Sequence, residues 1–100
     1  MSYYRTVTVY HLPERRTEGI KKLKLLSQLL NNYGATTEIL TTFAGDSFRI
    51  HVVSQFETLA QFEALNTWAT EDTNYQAWLQ SVQDLFDWNR TETNLYTIIS

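Results

Sequence analysis

The sequence predicts one small α+β domain of βαββαβ order, with a four-stranded antiparallel sheet and two helices on one face of it. Four stretches rich in β-branched and aromatic residues predict strands. Two longer stretches with apolar residues every three or four positions predict helices. The short connection between the second and third strands indicates a hairpin, and right-handed crossovers then place both helices on the same face. Since no linker or repeat divides the chain, we expect residues 1–100 to form a single domain.

The first half of the chain begins with a predicted strand over residues 3–12, which Pro13 ends. The first helix begins at Pro13 or at Thr17, since both residues carry start signals. Gly34 ends this helix, because glycine readily takes the left-handed conformation found after a helix C-terminus. The apolar stripe of the helix consists of Ile20, Leu23, Leu26, Leu29, Leu30 and Tyr33.

The second half begins with predicted strands over residues 36–43 and 47–54, joined by a turn at Gly45-Asp46. A helical pattern follows, is interrupted over residues 70–74 and then resumes, and a last strand covers residues 91–99. The apolar residues of the interrupted helix are Phe56, Leu59, Phe62, Leu65, Trp68, Tyr75, Trp78, Leu79, Val82 and Phe86.

The helices cover only one face of the predicted sheet, so the alternation along each strand sorts its side chains between a helix face and an open face. The residues expected on the helix face are Val7, Val9, Phe48, Ile50, Val52, Leu95 and Ile99. Strand 36–43 stays ambiguous, because Ile39 and Leu40 compete for the core. On the open face, the first and third strands should be central, with the last strand beside the first. This predicts a patch of aromatic, hydroxyl and charged side chains, called here the open-face patch: Thr6, Thr8, Tyr10, Arg49, His51, Asn94 and Tyr96.

The open-face patch is too aromatic for plain solvent and too polar for a featureless apolar interface. A lined cavity that holds a small organic ligand fits this mixture best, with the open face packed against a second copy of the chain. Thr6, Thr8, Tyr10, Asn94 and Tyr96 are the expected ligand-binding residues.

Composition and charge exclude several classes of protein. The chain contains no cysteine, which excludes disulfides and thiolate chemistry. No segment has the pattern of a signal peptide, and none approaches the length of a membrane span, so we expect a cytoplasmic protein without a membrane partner. The net charge is −3, and five of the eight basic residues lie between Arg15 and Lys24. We interpret that cluster as the solvated face of a helix rather than as a membrane-binding patch.

Three segments resemble the dimeric α/β-barrel superfamily with its ferredoxin-like βαββαβ fold. They are Phe-Glu-Thr-Leu at 56–59 after the third strand, Thr-Glu-Asp-Thr-Asn-Tyr-Gln-Ala-Trp at 70–78, and Arg-Thr-Glu-Thr-Asn-Leu-Tyr at 90–96. The chain is similar in layout to NIPSNAP-like proteins, stress-responsive A/B-barrel proteins and antibiotic-biosynthesis monooxygenases. The resemblance implies a homodimer formed through the open sheet faces, whose barrel interior takes a ligand of apolar or mixed character. It does not imply one activity, since members range from oxygenases and isomerases to proteins without a known reaction.

His51 and Arg49 are the candidate catalytic residues. A histidine on the open face of a central strand can act as a general base near neutral pH. Arg49, two residues away on the same face, can hold a carboxylate or enolate oxygen. The alternative is that both side chains line an interface and pair with carboxylates such as Glu38 or Glu92. We expect no metal, because two histidines on different strands supply too few ligands, and no cofactor, because the second helix lacks the histidine that heme-degrading members use.

The sequence therefore favours a barrel protein that binds a small, partly apolar organic molecule and acts as a cofactor-independent monooxygenase or isomerase. The alternative is a non-catalytic binding or assembly protein. A remote alternative is an RNA-binding domain of the same βαββαβ order, which would stack bases on aromatic residues of its central strands. The outward positions of the third strand are Arg49, His51 and Val53, and the chain is acidic, so we expect no nucleic-acid partner.

Overall fold

The fold is known from a computed structural model, which describes residues 2–98. Its four strands form one antiparallel sheet in the order β2-β3-β1-β4, with β1 and β3 at the centre. The predicted α+β class and strand order are thus confirmed. The position expected for Ile99 lies outside the described residues. The elements are β1 (Tyr3–Tyr10), α1 (Arg16–Tyr33), β2 (Thr36–Thr41), β3 (Arg49–Phe56), α2 (Leu59–Glu71), α3 (Thr73–Ser81), a 3-10 turn (Trp88–Arg90) and β4 (Glu92–Thr97).

Helix α1 begins at Arg16, between the two predicted starting points, and ends at Tyr33. Gly34 follows with φ 115°, and its N–H donates to the carbonyls of Leu30 and Asn31 at 3.1 and 3.0 Å. These bonds satisfy carbonyl groups that the end of a helix leaves without partners. The predicted glycine stop is therefore confirmed.

The predicted interruption of the second helical stretch is confirmed, and it is only one residue long. Asp72 ends α2 and begins α3, and its side chain accepts a hydrogen bond from the N–H of Tyr75 at 2.8 Å. The start of α2 is fixed by a reciprocal pair of bonds between Thr58 and Gln61, which satisfy backbone donors of the first turn. Because the chain bends at Asp72, α2 can lie against β3 while α3 packs against α1.

The turn between β2 and β3 is longer than predicted. A carboxylate oxygen of Asp46 accepts from the N–H of Phe48 at 2.9 Å, and the carbonyl of Asp46 accepts from the N–H of Arg49 at 3.2 Å. These bonds hold residues 46–48 in a turn, so β3 begins at Arg49 and ends at Phe56. Phe48, expected on the helix face, precedes the strand and is 40% exposed, with its ring centroid 4.7 Å from that of His11.

The hydrophobic core lies between the sheet and the three helices. The pairs Val9–Ile50 and Val7–Val52 form its sheet side, and Ile39 joins Val52 in register, which resolves the facing of β2. Leu95 shares the helix face by register but is 41% exposed, because β4 is an edge strand. The fully enclosed apolar side chains are Leu23, Leu30, Ile50, Val52, Leu65, Val82 and Leu85.

Within residues 2–98, the helices all fall short of the length and apolar character that a membrane crossing requires.

Candidate functional site

The open-face patch is assembled by the register of three strands. Thr8 lies opposite His51 and Tyr10 lies opposite Arg49 across the β1–β3 ladder. On the other side of β1, Thr6 lies opposite Asn94. Tyr4 alternates with Thr6 on β1 and shares this face, so its partner Tyr96 lies there too. Val53, opposite Thr6, and Leu40, opposite His51, also lie on this face. The structure therefore brings the seven residues of the patch onto the same surface of the sheet.

His51 makes the most specific contact on this surface. Its Nδ1 lies 2.9 Å from the hydroxyl oxygen of Thr8, which is itself only 6% exposed. Partial burial lowers the pKa of His51, and the neighbouring Arg49 guanidinium lowers it further. Both causes disfavour the imidazolium, so His51 is neutral at pH 7. A neutral imidazole in a fixed orientation has the protonation state that a general base requires.

Arg49 has no carboxylate partner in the described part of the chain. Its Nε is enclosed and lacks a hydrogen bond, and no ion pair joins it to Glu38 or Glu92. The pairing of Arg49 with Glu38 or Glu92 is therefore not formed among residues 2–98. By contrast, Tyr10 already has a cation on its ring, because the guanidinium carbon of Arg90 lies 3.8 Å from the ring centroid.

The two causes of the His51 shift can be separated by titration. We expect the His51 imidazole to titrate below the ordinary value of about 6.5, and the Arg49→Met variant to raise this pKa, since it removes one of the two opposing influences on the charged form. NMR titration of the imidazole signals measures this, with His51→Gln to assign the resonance. A His51 pKa at or above the ordinary value, unchanged by Arg49→Met, would show that neither influence operates.

A second feature lies on the opposite face of the sheet. A cavity of about 370 Å³, called here the helix-side cavity, lies between β1 and the helices. Its walls are mainly apolar, and exposed Asn66 and Thr93 also line it, so it reaches the surface. The volume lies within the range of small-molecule sites. The apolar and aromatic residues of the wall are Val7, Val9, Leu23, Leu26, Val52, Phe62, Tyr75, Trp78, Leu79 and Trp88.

Arg5 is the one charged residue among those that line the helix-side cavity. It follows the inward alternation of β1, with Ser54 and Leu95 as its cross-strand neighbours. Its Nε is enclosed and has no hydrogen-bond partner among residues 2–98. Burial lowers the pKa of Arg5, while its electrostatic interaction with Tyr75 acts in the opposite direction. An arginine side chain nevertheless stays protonated in proteins, so a positive charge faces an apolar cavity.

Arg5 is not among the site residues predicted from the sequence. The signal was present, since Arg5, Val7 and Val9 alternate and must share one face of β1. A charged residue at an inward position of a central strand is unusual enough to indicate a function. The expected ligand-binding residues, in contrast, all lie on the open face, away from the helix-side cavity.

Across residues 2–98, no group of three or more histidine, aspartate or glutamate side chains is arranged to hold a metal ion.

Comparison with known proteins supports the fold. No family model matches the sequence, and no curated protein matches it. Solved structures do match. An uncharacterized NIPSNAP domain protein from Burkholderia xenovorans superposes with a TM-score of 0.83 at 11% identity, over 98% of this chain and 95% of that one. A NIPSNAP family protein from Agrobacterium tumefaciens gives 0.81 at 12% identity, over 97% and 92%.

An antibiotic-biosynthesis-monooxygenase-like protein from Nitrosomonas europaea has the same fold, with a TM-score of 0.76 at 15% identity over 95% of this chain and 88% of that one. These neighbours are proteins of the kinds that the sequence resembles, so the predicted similarity of fold is confirmed. Identity at this level establishes the fold and not the reaction.

Proposed function

We propose that the protein is a homodimer that binds a small, partly apolar organic molecule in the helix-side cavity of each subunit. The observation that carries this proposal is the cavity itself. It has about 370 Å³ of space, a wall of aliphatic and aromatic side chains, and a few polar groups. This combination is typical of small-molecule sites, in which apolar contact supplies most of the affinity and few polar groups fix the orientation.

The open face supports the homodimer. Leu40 and Tyr96 are 47% and 53% exposed on a surface that no helix covers. They lie on the two edge strands of the same sheet face, and exposed apolar groups on an uncovered face are typical of protein–protein contact. A second copy would cover this face through the same residues in both subunits, as a twofold interface requires. The open-face patch would then line the contact between the two sheets.

Binding to the helix-side cavity can be tested with the neutral fluorescent probe N-phenylnaphthylamine, which brightens in apolar surroundings. We expect saturable binding to the wild-type protein, and an affinity at least about tenfold weaker for Val7→Phe, because the larger ring occupies the cavity. Leu25→Phe is the matched control, since Leu25 is 45% exposed and does not line the cavity. No saturable binding, or equal affinity in both variants, would contradict the proposed site.

A second candidate function is cofactor-independent oxygenation or isomerisation in the barrel between two subunits. The hydrogen bond between Thr8 and His51 favours it, because it orients an imidazole that is neutral at pH 7. In this function His51 is the base, Arg49 anchors an anionic oxygen, and Thr6, Thr8, Tyr10, Asn94 and Tyr96 contact the ligand. Loss of turnover in His51→Ala with an unchanged solution mass supports the assignment, and retained turnover excludes it.

A further inference from the structure

We propose that the helix-side cavity recognises an organic anion, an amphipathic carboxylate whose charged end pairs with Arg5 and whose apolar part fills the rest of the cavity. This inference depends on the proposed function and adds the class of ligand. It assigns a role to Arg5, which is not part of the open-face patch.

The position of Arg5 is fixed by the sheet. Arg5 lies on the central strand β1, two residues from Val7, and both side chains line the cavity. Its cross-strand neighbours on the same face are Ser54 on β3 and Leu95 on β4. Neither neighbour carries a negative charge. The strand therefore fixes the backbone of Arg5 at the cavity wall, with no acidic residue beside it on the sheet.

No other charge in the described chain compensates Arg5. The residues that line the cavity include no aspartate or glutamate. The ion pairs within residues 2–98 involve Arg15 and Arg90, not Arg5. The enclosed Nε has no hydrogen-bond acceptor there either. Arg5 is partly buried, so its charge loses part of its hydration, and such a charge normally has a partner in a folded protein. A bound anion would supply the missing partner.

The chemistry of the wall defines the class of anion. A guanidinium presents a planar fork of donors that matches a carboxylate in a two-bond arrangement. One cation balances one negative charge, which favours a monocarboxylate over a multiply charged phosphate ester. The aromatic wall formed by Phe62, Trp78 and Trp88 suits an apolar chain or ring. Asn66 and Tyr75 can add hydrogen bonds to a polar substituent.

A purely structural role for Arg5 makes a different prediction. The aliphatic part of an arginine side chain can pack on apolar surface without any ligand. In that case the charge would contribute nothing to binding, and a neutral ligand would bind as well as an anionic one.

The experiment compares octanoate with octanol, which share a chain length and differ in charge. Each is used to displace N-phenylnaphthylamine from the full chain at a pH where octanoate is ionised. We expect octanoate to displace the probe at a concentration at least about tenfold lower than octanol, as a charged hydrogen-bonded pair provides. In Arg5→Met the preference for octanoate should disappear while displacement by octanol is unchanged. Arg5→Lys should keep a reduced preference, since it keeps the charge but not the fork.

Arg16→Met is the matched control, because Arg16 is exposed at the start of α1 and does not line the cavity. It should keep the full preference for octanoate. Equal displacement by octanoate and octanol in the wild-type protein would overturn the anion proposal and leave the proposed function standing. A preference that survives in Arg5→Met would overturn it as well. If no probe binds at all, the proposed function fails and this inference fails with it. The wild-type comparison decides the question even if Arg5→Met does not fold.

Discussion

Leu30→Ala is expected to lower the free energy of unfolding by about 2–5 kcal/mol. Leu30 lies in α1 and is 1% exposed, enclosed in the core between the helix and the sheet. Removal of its side-chain atoms leaves a cavity that the packed surroundings fill only in part. For a domain of 100 residues, such a loss is a large fraction of the total stability, which is typically about 5–15 kcal/mol.

Leu25→Ala provides the control for this prediction, because it makes the same change in the same helix. Leu25 is 45% exposed, so we expect a change within about 0.5 kcal/mol, as at most surface positions. Urea unfolding at one fixed protein concentration, followed by tryptophan fluorescence, measures both variants. Equal losses would mean that the outer and inner faces of α1 are wrongly assigned.

Thr6→Glu is expected to convert the protein from a dimer into a monomer while the fold is retained. Thr6 lies on the open face of the central strand β1, with Val53 and Asn94 as its direct cross-strand neighbours. Neither neighbour can neutralise a carboxylate. In a monomer the added carboxylate is hydrated, so it changes the free energy of folding only slightly. In a twofold dimer two such charges would be buried between the sheets without partners, which strongly opposes association.

The control for the dimer prediction is Gln80→Glu, which adds the same charge at an exposed position of α3. Light scattering coupled to size-exclusion chromatography should give twice the chain mass for the wild-type protein and for Gln80→Glu, and the single chain mass for Thr6→Glu. Circular dichroism should be the same for all three. A monomeric wild-type protein, or a dimeric Thr6→Glu, would contradict an interface on the open face.

Much of the fold could be predicted because local chemistry and periodicity agree. The left-handed Gly34 and the break at Asp72 follow from single residues with strong conformational or capping preferences. The boundaries of β3 could not be predicted in the same way. They depend on which backbone groups Asp46 binds in the turn, and that choice is made by the folded loop rather than by composition.

The facing of β2 shows the limit of periodicity for two adjacent apolar residues. Ile39 and Leu40 are equally suitable for the core, and only pairing with β3 decides between them. Register is a property of two strands, so one strand alone cannot supply it. The open-face patch was predictable because its strands alternate clearly. The helix-side cavity was not, because its volume depends on how closely α2 and α3 approach the sheet.

The central claim is that the ligand occupies the helix-side cavity, and the indole signals of the three tryptophans test it directly. Trp78 and Trp88 line the cavity, whereas Trp68 stacks on Tyr33 outside it. Addition of octanoate, followed by NMR of the indole N–H groups and the backbone amides, is expected to shift the signals of Trp78 and Trp88 more than that of Trp68, whose ring meets the cavity only through Tyr75. Shifts confined to the amides of Thr6, Thr8 and neighbouring open-face residues, with all three indole signals unchanged, would contradict ligand binding in the helix-side cavity.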